Sequence, residues 1–211
     1  MMRIPYIKLP FPCATPEVRS SIAGLVPSGG KITFAQLCEE RPKTGYQLLL
    51  GFAEQLSARA DTALGERAAL ILPLGTVRHN SAVQTDLHPW HTDRSFFQPA
   101  GHGVTFWVTF DDVGETAPSI EFDVDDQVHV ACVKAGTALM FLSNVRHRTQ
   151  RLNGERISVE FRCMPVSARS DEVRSVLQVM VEERASGRRM VISRGGTELH
   201  STFVSAAGLT P

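Results

Sequence analysis

The spacing of apolar residues divides the chain into three parts, of which the first is predicted to be helical. Between residues 44 and 63 the apolar positions recur at helical spacing, which is typical of an amphipathic helix that packs on a sheet. Shorter helices are expected over residues 16–26 and 34–40. Residues 1–66 are therefore predicted to form a helical lead-in. The apolar positions of its longest helix are Leu48, Leu49, Phe52, Leu56 and Ala60.

The middle part, residues 67–165, is predicted to be a β-domain. Short apolar or alternating runs follow one another there, separated by turn residues, and this pattern is typical of a sandwich or barrel. The strands are expected at residues 68–74, 104–110, 120–124, 128–132, 137–142 and 156–163.

The last part, residues 166–211, is expected to contain a helix that covers one sheet. Ser170 is a favourable N-cap, and Asp171 and Glu172 would lie in the first turn, where the helix dipole favours acidic groups. Further apolar residues follow at helical spacing as far as Gly187. The three parts are assigned to one domain, residues 1–211, because this length suits a single domain. The apolar positions of the expected helix are Val173, Val176, Leu177, Met180 and Val181.

Charge and composition favour a small-molecule or protein partner. The 22 basic and 22 acidic side chains cancel, and 43% of the residues are hydrophobic, so a core can form but neither nucleic acid nor an acidic membrane is an expected partner. The first residues do not resemble a secretory signal. The four cysteines have no metal-binding spacing, and a cytoplasmic, disulfide-free protein is expected. The pattern leaves the oligomeric state open.

Two histidines and an aspartate form the candidate metal site. His91 and Asp93 are separated by one residue, and His147 follows 54 positions after Asp93. Alternate residues of an extended strand point to the same side, so one strand can supply two ligands. His147 follows the expected strand 137–142 and can supply the third. Two imidazoles and one carboxylate on one face of an iron ion leave positions open for a chelating co-substrate and for dioxygen.

The strand expected at residues 156–163 has one apolar and one polar face, and a polar face is often simply solvated. Here the polar face begins nine residues after His147, across a predicted hairpin turn. An arginine beside a hydroxyl is a natural receptor for a carboxylate. We therefore expect Arg156 and Ser158 to anchor the far end of a dicarboxylic co-substrate that chelates the iron.

Together these residues resemble a known family. His91-Thr92-Asp93, His147 and Arg156-Ile157-Ser158 are similar to the H-x-D…H…R-x-S motif of the Fe(II)/2-oxoglutarate-dependent dioxygenases. Residues 104–124 are similar to the strand after the H-x-D motif in the phytanoyl-CoA hydroxylase-like branch, where a tryptophan precedes an acidic turn. The resemblance covers about residues 68–165. It implies a double-stranded β-helix, a cupin-like jelly-roll, with helices outside the larger sheet.

The resemblance also implies an activity. An enzyme of this kind uses Fe(II), 2-oxoglutarate and O2 to hydroxylate or otherwise oxidise a small metabolite, with release of succinate and CO2. Related halogenases have a small residue in place of the carboxylate ligand, so an aspartate favours hydroxylation or another oxidation. The residues expected to bind iron and take part in catalysis are His91, Asp93 and His147, and those expected to bind 2-oxoglutarate are Arg156, Ser158, Thr149 and Trp107.

Several alternatives stay open at this point. The spacing from His147 to Arg156 is one or two residues shorter than usual in the family, so Arg162 on the same strand face is a rival anchor. The glycine-rich loop of many phytanoyl-type members is replaced by Thr-Ala-Pro-Ser at residues 116–119, which leaves the substrate class open. The same three ligands would also suit a zinc-dependent hydrolase. A non-catalytic jelly-roll that binds 2-oxoglutarate or a sugar is the second alternative.

Overall fold

The fold is a double-stranded β-helix, or jelly-roll, in a computed structural model that describes residues 4–83, 88–98 and 101–204. The larger antiparallel sheet runs β1-β8-β5-β10-β3-β11-β12-β13, with β4 paired to β10 and β2 paired to β4, and the smaller sheet runs β7-β6-β9. The strands are β1 (Ile7–Pro10), β2 (Lys31–Thr33), β3 (Ala68–Ile71), β4 (Thr76–Asn80), β5 (Val104–Thr109), β6 (Ile120–Val124), β7 (Gln127–Val130), β8 (Thr137–Leu142), β9 (His147–Thr149), β10 (Arg156–Pro165), β11 (Gln178–Arg184), β12 (Gly187–Arg194) and β13 (Thr197–Val204).

The N-terminal part contains four helices and two short strands. The helix expected over residues 44–63 is interrupted by one π-helical turn at Phe52–Leu56. Thr33 begins the second helix with a capping box, in which its side chain and that of Gln36 bind each other's backbone N–H groups. The helices are α1 (Pro16–Ala23), α2 (Phe34–Glu40), α3 (Pro42–Gly51), α4 (Ser57–Leu64) and, near the C-terminus, α5 (Asp171–Ser175). No helix of the described ranges is long and apolar enough to cross a membrane.

The central strand β10 has both faces buried. Its apolar face packs against the helices, where the Phe161 ring lies 5.1 Å from that of Phe34 and 5.5 Å from that of Phe52. Its polar face points between the two sheets, and Arg156 and Ser158 are each only 2% exposed. The alternation expected along residues 156–163 is therefore confirmed. The polar face is enclosed rather than solvated.

A second apolar cluster fills part of the space between the two sheets. Trp107 of β5 and Phe141 of β8 meet Ile120 and Phe122 of the smaller sheet there. Because alternate residues of each strand point inward, the same strands that close this cluster also direct polar side chains into the remaining space. That space contains the candidate site.

The prediction of a helix after Ser170 is wrong beyond the first turn. Ser170 does cap a helix, but α5 ends at Ser175, and β11, β12 and β13 follow as an antiparallel extension of the larger sheet. Val179 and Val181 are two residues apart, which places both side chains on one face of a strand, and both are buried. Their β-branched side chains also favour a strand. β11 pairs with the edge of β3, a contact that the local pattern does not reveal. The assignment of residues 1–211 to one domain stays a prediction.

Candidate metal centre

The structure brings the two expected histidines and the aspartate together. One ligand atom from each of His91, Asp93 and His147 lies within 4.8 Å of the others. His91 and His147 form an isolated antiparallel bridge, in which each backbone N–H donates to the other residue's carbonyl, at 3.0 and 2.9 Å. Thr92 has an extended backbone, with φ −122° and ψ 153°. Residues 91 and 93 therefore project to the same side, as expected.

Both imidazoles are held in the tautomer that a metal requires. The Nδ1 atom of His91 donates to the carbonyl of Pro89 at 2.8 Å, and that of His147 donates to the carbonyl of Val145 at 3.0 Å. A carbonyl oxygen can only accept, so in each neutral ring the proton lies on Nδ1 and the Nε2 lone pair is available. Burial lowers the pKa of His147, which favours its neutral, ligating form.

The Asp93 carboxylate has one oxygen engaged and one without a partner. The Thr105 hydroxyl donates to Oδ2 at 2.6 Å, and the Arg162 Nε lies 3.6 Å from the same oxygen. Oδ1 is buried and has no hydrogen-bond partner, yet it lies 3.6 Å from the His91 Nε2 and 3.9 Å from the His147 Nε2. An unpartnered carboxylate oxygen is costly to bury. A cation between these three atoms would satisfy it.

The charge on Asp93 is strongly favoured. Burial alone would raise its pKa, but His91, Arg162 and His147, together with the Thr105 hydroxyl, outweigh burial and hold the pKa well below the usual value. A permanently ionised carboxylate beside two imidazole lone pairs has the donor chemistry of a divalent transition-metal site. The residues present therefore fit a mononuclear iron centre.

The candidate metal site opens into a cavity of about 420 Å³ between the sheets. His91 and His147 line it, together with four of the other residues expected or considered at the site: Trp107, Thr149, Arg156 and Arg162. Ser158 is buried on the same strand face but is not among the residues that line the cavity. One space thus connects the candidate ligands with both rival arginines.

Arg156 is a buried cation with no carboxylate partner in the described ranges 4–83, 88–98 and 101–204. Its Nη1 donates to the carbonyls of Pro118 and Ser119, at 2.5 and 3.2 Å, and its guanidinium lies 4.9 Å from the centre of the Trp107 ring. Its Nε is buried without a hydrogen-bond partner. Burial, followed by the charge of Arg78, lowers its pKa to about 9. The residues that replace the glycine-rich loop thus hold this arginine, and an anion would complete its contacts.

Arg162 has its positive charge matched within the protein. Its Nη2 lies 2.7 Å from the Glu160 carboxylate, its Nη1 donates to the Leu74 carbonyl at 2.5 Å, and its guanidinium lies 4.2 Å from the centre of the Phe96 ring. Together with the contact to Asp93, these interactions occupy it at the metal end of the cavity. Arg156 is therefore the better placed of the two to bind an added carboxylate.

Sequence analysis missed Thr105 and did not assign a role to Glu160. Thr105 lies two residues before Trp107 on β5 and opposite Arg162 on β10, so alternation along the predicted strand could have placed it on the inner face. Glu160 lines the cavity and belongs to the polar face that was recognised. Lys31 also lines the cavity, and nothing in the local pattern around β2 indicates this.

The comparisons with known proteins support the fold. No family model matches the sequence, and no curated protein resembles it significantly. Among solved structures, the epimerase SnoN from nogalamycin biosynthesis, in complex with Fe3+, alpha-ketoglutarate and nogalamycin RO, is 18% identical, with 77% of this chain and 80% of that chain covered and a TM-score of 0.56.

Two further structures show the same likeness. EctD from S. alaskensis, with 2-oxoglutarate and 5-hydroxyectoine, is 14% identical over 79% of this chain and 74% of that chain, with a TM-score of 0.60. CytC3 with Fe(II) and alpha-ketoglutarate is 14% identical over 77% of this chain and 74% of that chain, with a TM-score of 0.55. At these identities the likeness establishes the fold, which this chain shares with iron- and 2-oxoglutarate-binding proteins.

Proposed function

We propose that this protein is an Fe(II)- and 2-oxoglutarate-dependent oxygenase, which hydroxylates or otherwise oxidises a small molecule with release of succinate and CO2. One observation carries the proposal. Among the described residues, Oδ1 of Asp93 has no hydrogen-bond partner and lies near two imidazole nitrogens. The adjoining cavity is lined by the buried Arg156, which has no carboxylate of these residues within ion-pair distance. These are the two points at which a metal-chelating dicarboxylate would bind.

Each residue has a specific part in this proposal. His91, Asp93 and His147 would hold Fe(II), and two imidazoles with one carboxylate suit an iron that also takes up 2-oxoglutarate and O2. When bound, the iron supplies O2 activation coupled to oxidative decarboxylation of 2-oxoglutarate, and this coupling is what oxidises the substrate. Thr105 and Arg162 keep Oδ2 of Asp93 engaged, so Oδ1 is the oxygen directed to the metal.

The other end of 2-oxoglutarate binds at Arg156. The carbonyls of Pro118 and Ser119 fix one side of the guanidinium and the Trp107 ring covers it, so the guanidinium is oriented before the carboxylate arrives. Thr149 lies in the cavity wall and donates a further hydrogen bond. Ser158 is buried on the same strand face but does not line the cavity, so its part in binding 2-oxoglutarate is proposed from the family resemblance alone. Burial strengthens the proposed ion pair between Arg156 and the carboxylate of 2-oxoglutarate, because the local dielectric is low.

The fold of this protein is compatible with more than one type of reaction. The solved structures that share the fold include an epimerase and a carbocyclase, both described as alpha-ketoglutarate dependent, so the scaffold supports outcomes other than hydroxylation. The carboxylate of Asp93 favours an oxidation. Membership of the phytanoyl-CoA hydroxylase-like branch is proposed from the Trp107 strand and the acidic turn after it. A cytoplasmic location is proposed from the cysteines, all four of which are free thiols.

Anaerobic addition of Fe(II) and 2-oxoglutarate tests the proposal. We expect a visible metal-to-ligand charge-transfer band in the wild-type protein and its loss in His91→Ala, with a circular dichroism spectrum that is unchanged. A matched control is His129→Ala, which replaces a histidine of β7 that is not among the residues lining the cavity. If His91→Ala keeps the band, the ligand assignment is wrong.

Product analysis separates the proposal from its two rivals. On exposure to O2, slow substrate-independent turnover should convert 2-oxoglutarate to succinate in proportion to the iron bound. A zinc-dependent hydrolase would be active without 2-oxoglutarate and would be purified with zinc. A non-catalytic module would bind 2-oxoglutarate without forming succinate.

A further inference from the structure

His88 is a third histidine beside the candidate metal site, and the proposed function gives it no part. Its Nδ1 lies 3.2 Å from the Nδ1 of His91, and the centres of the two rings are 4.2 Å apart at an angle of 76°. His88 also lines the cavity. It is therefore in contact with a candidate iron ligand and borders the space in which a substrate would bind.

The contact between the two histidines determines which nitrogen of His88 carries the proton. The Nδ1 of His91 lies 2.8 Å from the carbonyl of Pro89, which can only accept, so this Nδ1 carries a proton. It cannot accept a second N–H, and so the Nδ1 of His88 is the acceptor in the 3.2 Å contact. An imidazole that accepts at Nδ1 carries its proton on Nε2. His88 therefore has an N–H donor at Nε2.

The Nε2–H of His88 has no acceptor among the described residues, whose contacts with His88 involve its Nδ1, its ring and its carbonyl. The side chain is partly buried. The backbone is held in place, because the Thr149 N–H donates to the His88 carbonyl at 3.3 Å. A positioned donor that the protein leaves unpaired, on a residue that lines a cavity, is a typical contact point for a bound molecule.

The cavity wall near the metal site also contains apolar side chains. Leu74 and Phe96 line the cavity, and both contact Arg162, which lies 2.5 Å from the Leu74 carbonyl and 4.2 Å from the centre of the Phe96 ring. Arg162 in turn lies 3.6 Å from Asp93. Pro73, next to Leu74 in the chain, adds to this wall. A molecule bound here would meet apolar side chains and, at His88, one N–H donor.

We propose that His88 is a substrate-binding residue, whose Nε2–H donates to a carbonyl, ether or hydroxyl oxygen of a substrate with an otherwise apolar body. This inference rests on the proposed function and names the class of substrate. Because His88 and His91 are in contact, the hydrogen bond holds the part of the substrate next to that oxygen close to the metal. Donation from Nε2 also makes Nδ1 a better acceptor for the His91 N–H, since linked hydrogen bonds strengthen one another.

Two probes of the same shape test the need for an oxygen acceptor. Acetophenone has a carbonyl oxygen, and α-methylstyrene has a CH2 group in its place. Each is titrated anaerobically into the protein loaded with Fe(II) and saturating 2-oxoglutarate. Binding is followed by the shift of the charge-transfer band and by paramagnetic broadening of the probe's NMR signals. The quantity compared between variants is the ratio of the two affinities, in which the different hydrophobicity of the probes cancels.

Two substitutions separate the two nitrogens of His88. His88→Asn keeps an acceptor near the position of Nδ1 but has no donor at Nε2, whereas His88→Gln can place an N–H at the position of Nε2 but has no acceptor at Nδ1. We expect the ratio to fall about fivefold in His88→Asn, as for one lost hydrogen bond. It should stay within about twofold of wild type in His88→Gln. His129→Asn, at a histidine of β7 that is not among the residues lining the cavity, is the matched control and should leave the ratio unchanged.

Three outcomes would overturn the inference. The first is a ratio that His88→Asn leaves at its wild-type value, and the second is binding of neither probe to the loaded protein. The third is a ratio that falls in His88→Gln but not in His88→Asn, which would mean that His88 only supports His91. Failure of the proposed function is distinguishable, because the charge-transfer band would then be missing before any probe is added. Saturation-transfer NMR on the metal-free protein and its two His88 variants would still test the donor in that case.

Discussion

Arg156 and Arg162 lie on the same inward face of β10 and line the same cavity, but their surroundings differ in charge. Arg162 contacts two carboxylates, with Glu160 at 2.7 Å and Asp93 at 3.6 Å. Arg156 contacts two carbonyls and an aromatic ring, and no carboxylate of the described residues lies within ion-pair distance of it. A buried charge without a counter-ion is costly. The comparison therefore separates an arginine that contacts the candidate metal ligand Asp93 from one whose charge is proposed to bind an external anion.

This difference assigns the two ends of the cavity to different tasks. At the end of Arg162, protein groups balance one another and leave a single oxygen of Asp93 for the metal. At the end of Arg156, the unmatched positive charge is where the proposed co-substrate would bind. Variants that affect one end and not the other will show whether the division is correct.

The largest effect is expected from Arg156→Met. It removes the charge that binds the distal carboxylate, and loss of one partner of a buried charge-assisted pair costs on the order of 3 kcal/mol. The dissociation constant of 2-oxoglutarate should rise about 100-fold, as measured by anaerobic titration of the charge-transfer band. Iron affinity should stay within about threefold of wild type. Arg156→Lys keeps the charge but not the planar fork. Its dissociation constant for 2-oxoglutarate should lie between those of wild type and Arg156→Met.

Arg162→Met should show the opposite pattern. It leaves Asp93 and Glu160 without their shared cation, and loss of such an outer contact to a metal ligand typically costs 10- to 100-fold in metal affinity. The affinity for 2-oxoglutarate at saturating iron should change less than about fivefold. A competition titration with a chelator measures the iron affinity, and Arg162→Lys checks that a buried charge is retained. A larger effect on 2-oxoglutarate than on iron would make Arg162 the anchor.

Thr105→Val should weaken iron binding by about tenfold. The two side chains have similar shapes, so the variant removes little more than the hydrogen bond to Oδ2 of Asp93, and this carboxylate is then free to rotate. Thr109→Val is the matched control, because Thr109 lies on the same strand face but donates to the Asp111 carbonyl. Equal iron affinities in the two variants would contradict a positioning role for Thr105.

The smallest effect expected is the pH dependence of metal binding. Burial lowers the pKa of His91, but the contact with Asp93 outweighs it, so the pKa is raised above the usual value. Below this pKa the metal must displace a proton, so its affinity should fall by less than about tenfold in total between pH 8 and pH 6. Titrations between pH 6 and 8 in buffers of different ionisation enthalpy measure the proton released. Affinity that is constant over this range would contradict the raised pKa.

Much of the candidate site could be predicted because it depends on alternation. Residues two apart on an extended strand share a side, so the H-x-D motif and the polar face of residues 156–163 were recognisable as units. The burial of that face was not recognisable, since Arg156 and Arg162 are enclosed only because the smaller sheet and the segment 93–97 cover them. The choice between the two arginines depended on contacts with Pro118, Glu160 and Asp93, which no local pattern contains.

The C-terminal part shows where local patterns fail. Val173, Val176, Met180 and Val181 fit a helical period, and the N-cap at Ser170 is real, yet α5 ends at Ser175. Gln178–Arg184 becomes a strand because the edge of β3 is available to it and because β12 folds back on its other side. Gly187, with φ +115°, permits the turn between β11 and β12. Hydrogen bonds to distant strands thus determined the conformation of a segment whose local pattern fits both a helix and a strand.

The sequence by itself determined the class of fold, the two halves of the metal site and the pairing of an arginine with a hydroxyl on one strand face, because each of these follows from periodicity over a few residues. Tertiary structure alone decided which oxygen of Asp93 is available, which arginine lacks a counter-ion, and which nitrogen of His88 carries its proton. These properties depend on distances and burial between residues far apart in the chain. The charge balance of a cavity depends on side chains from all the strands that enclose it, so no single segment of the sequence predicts it.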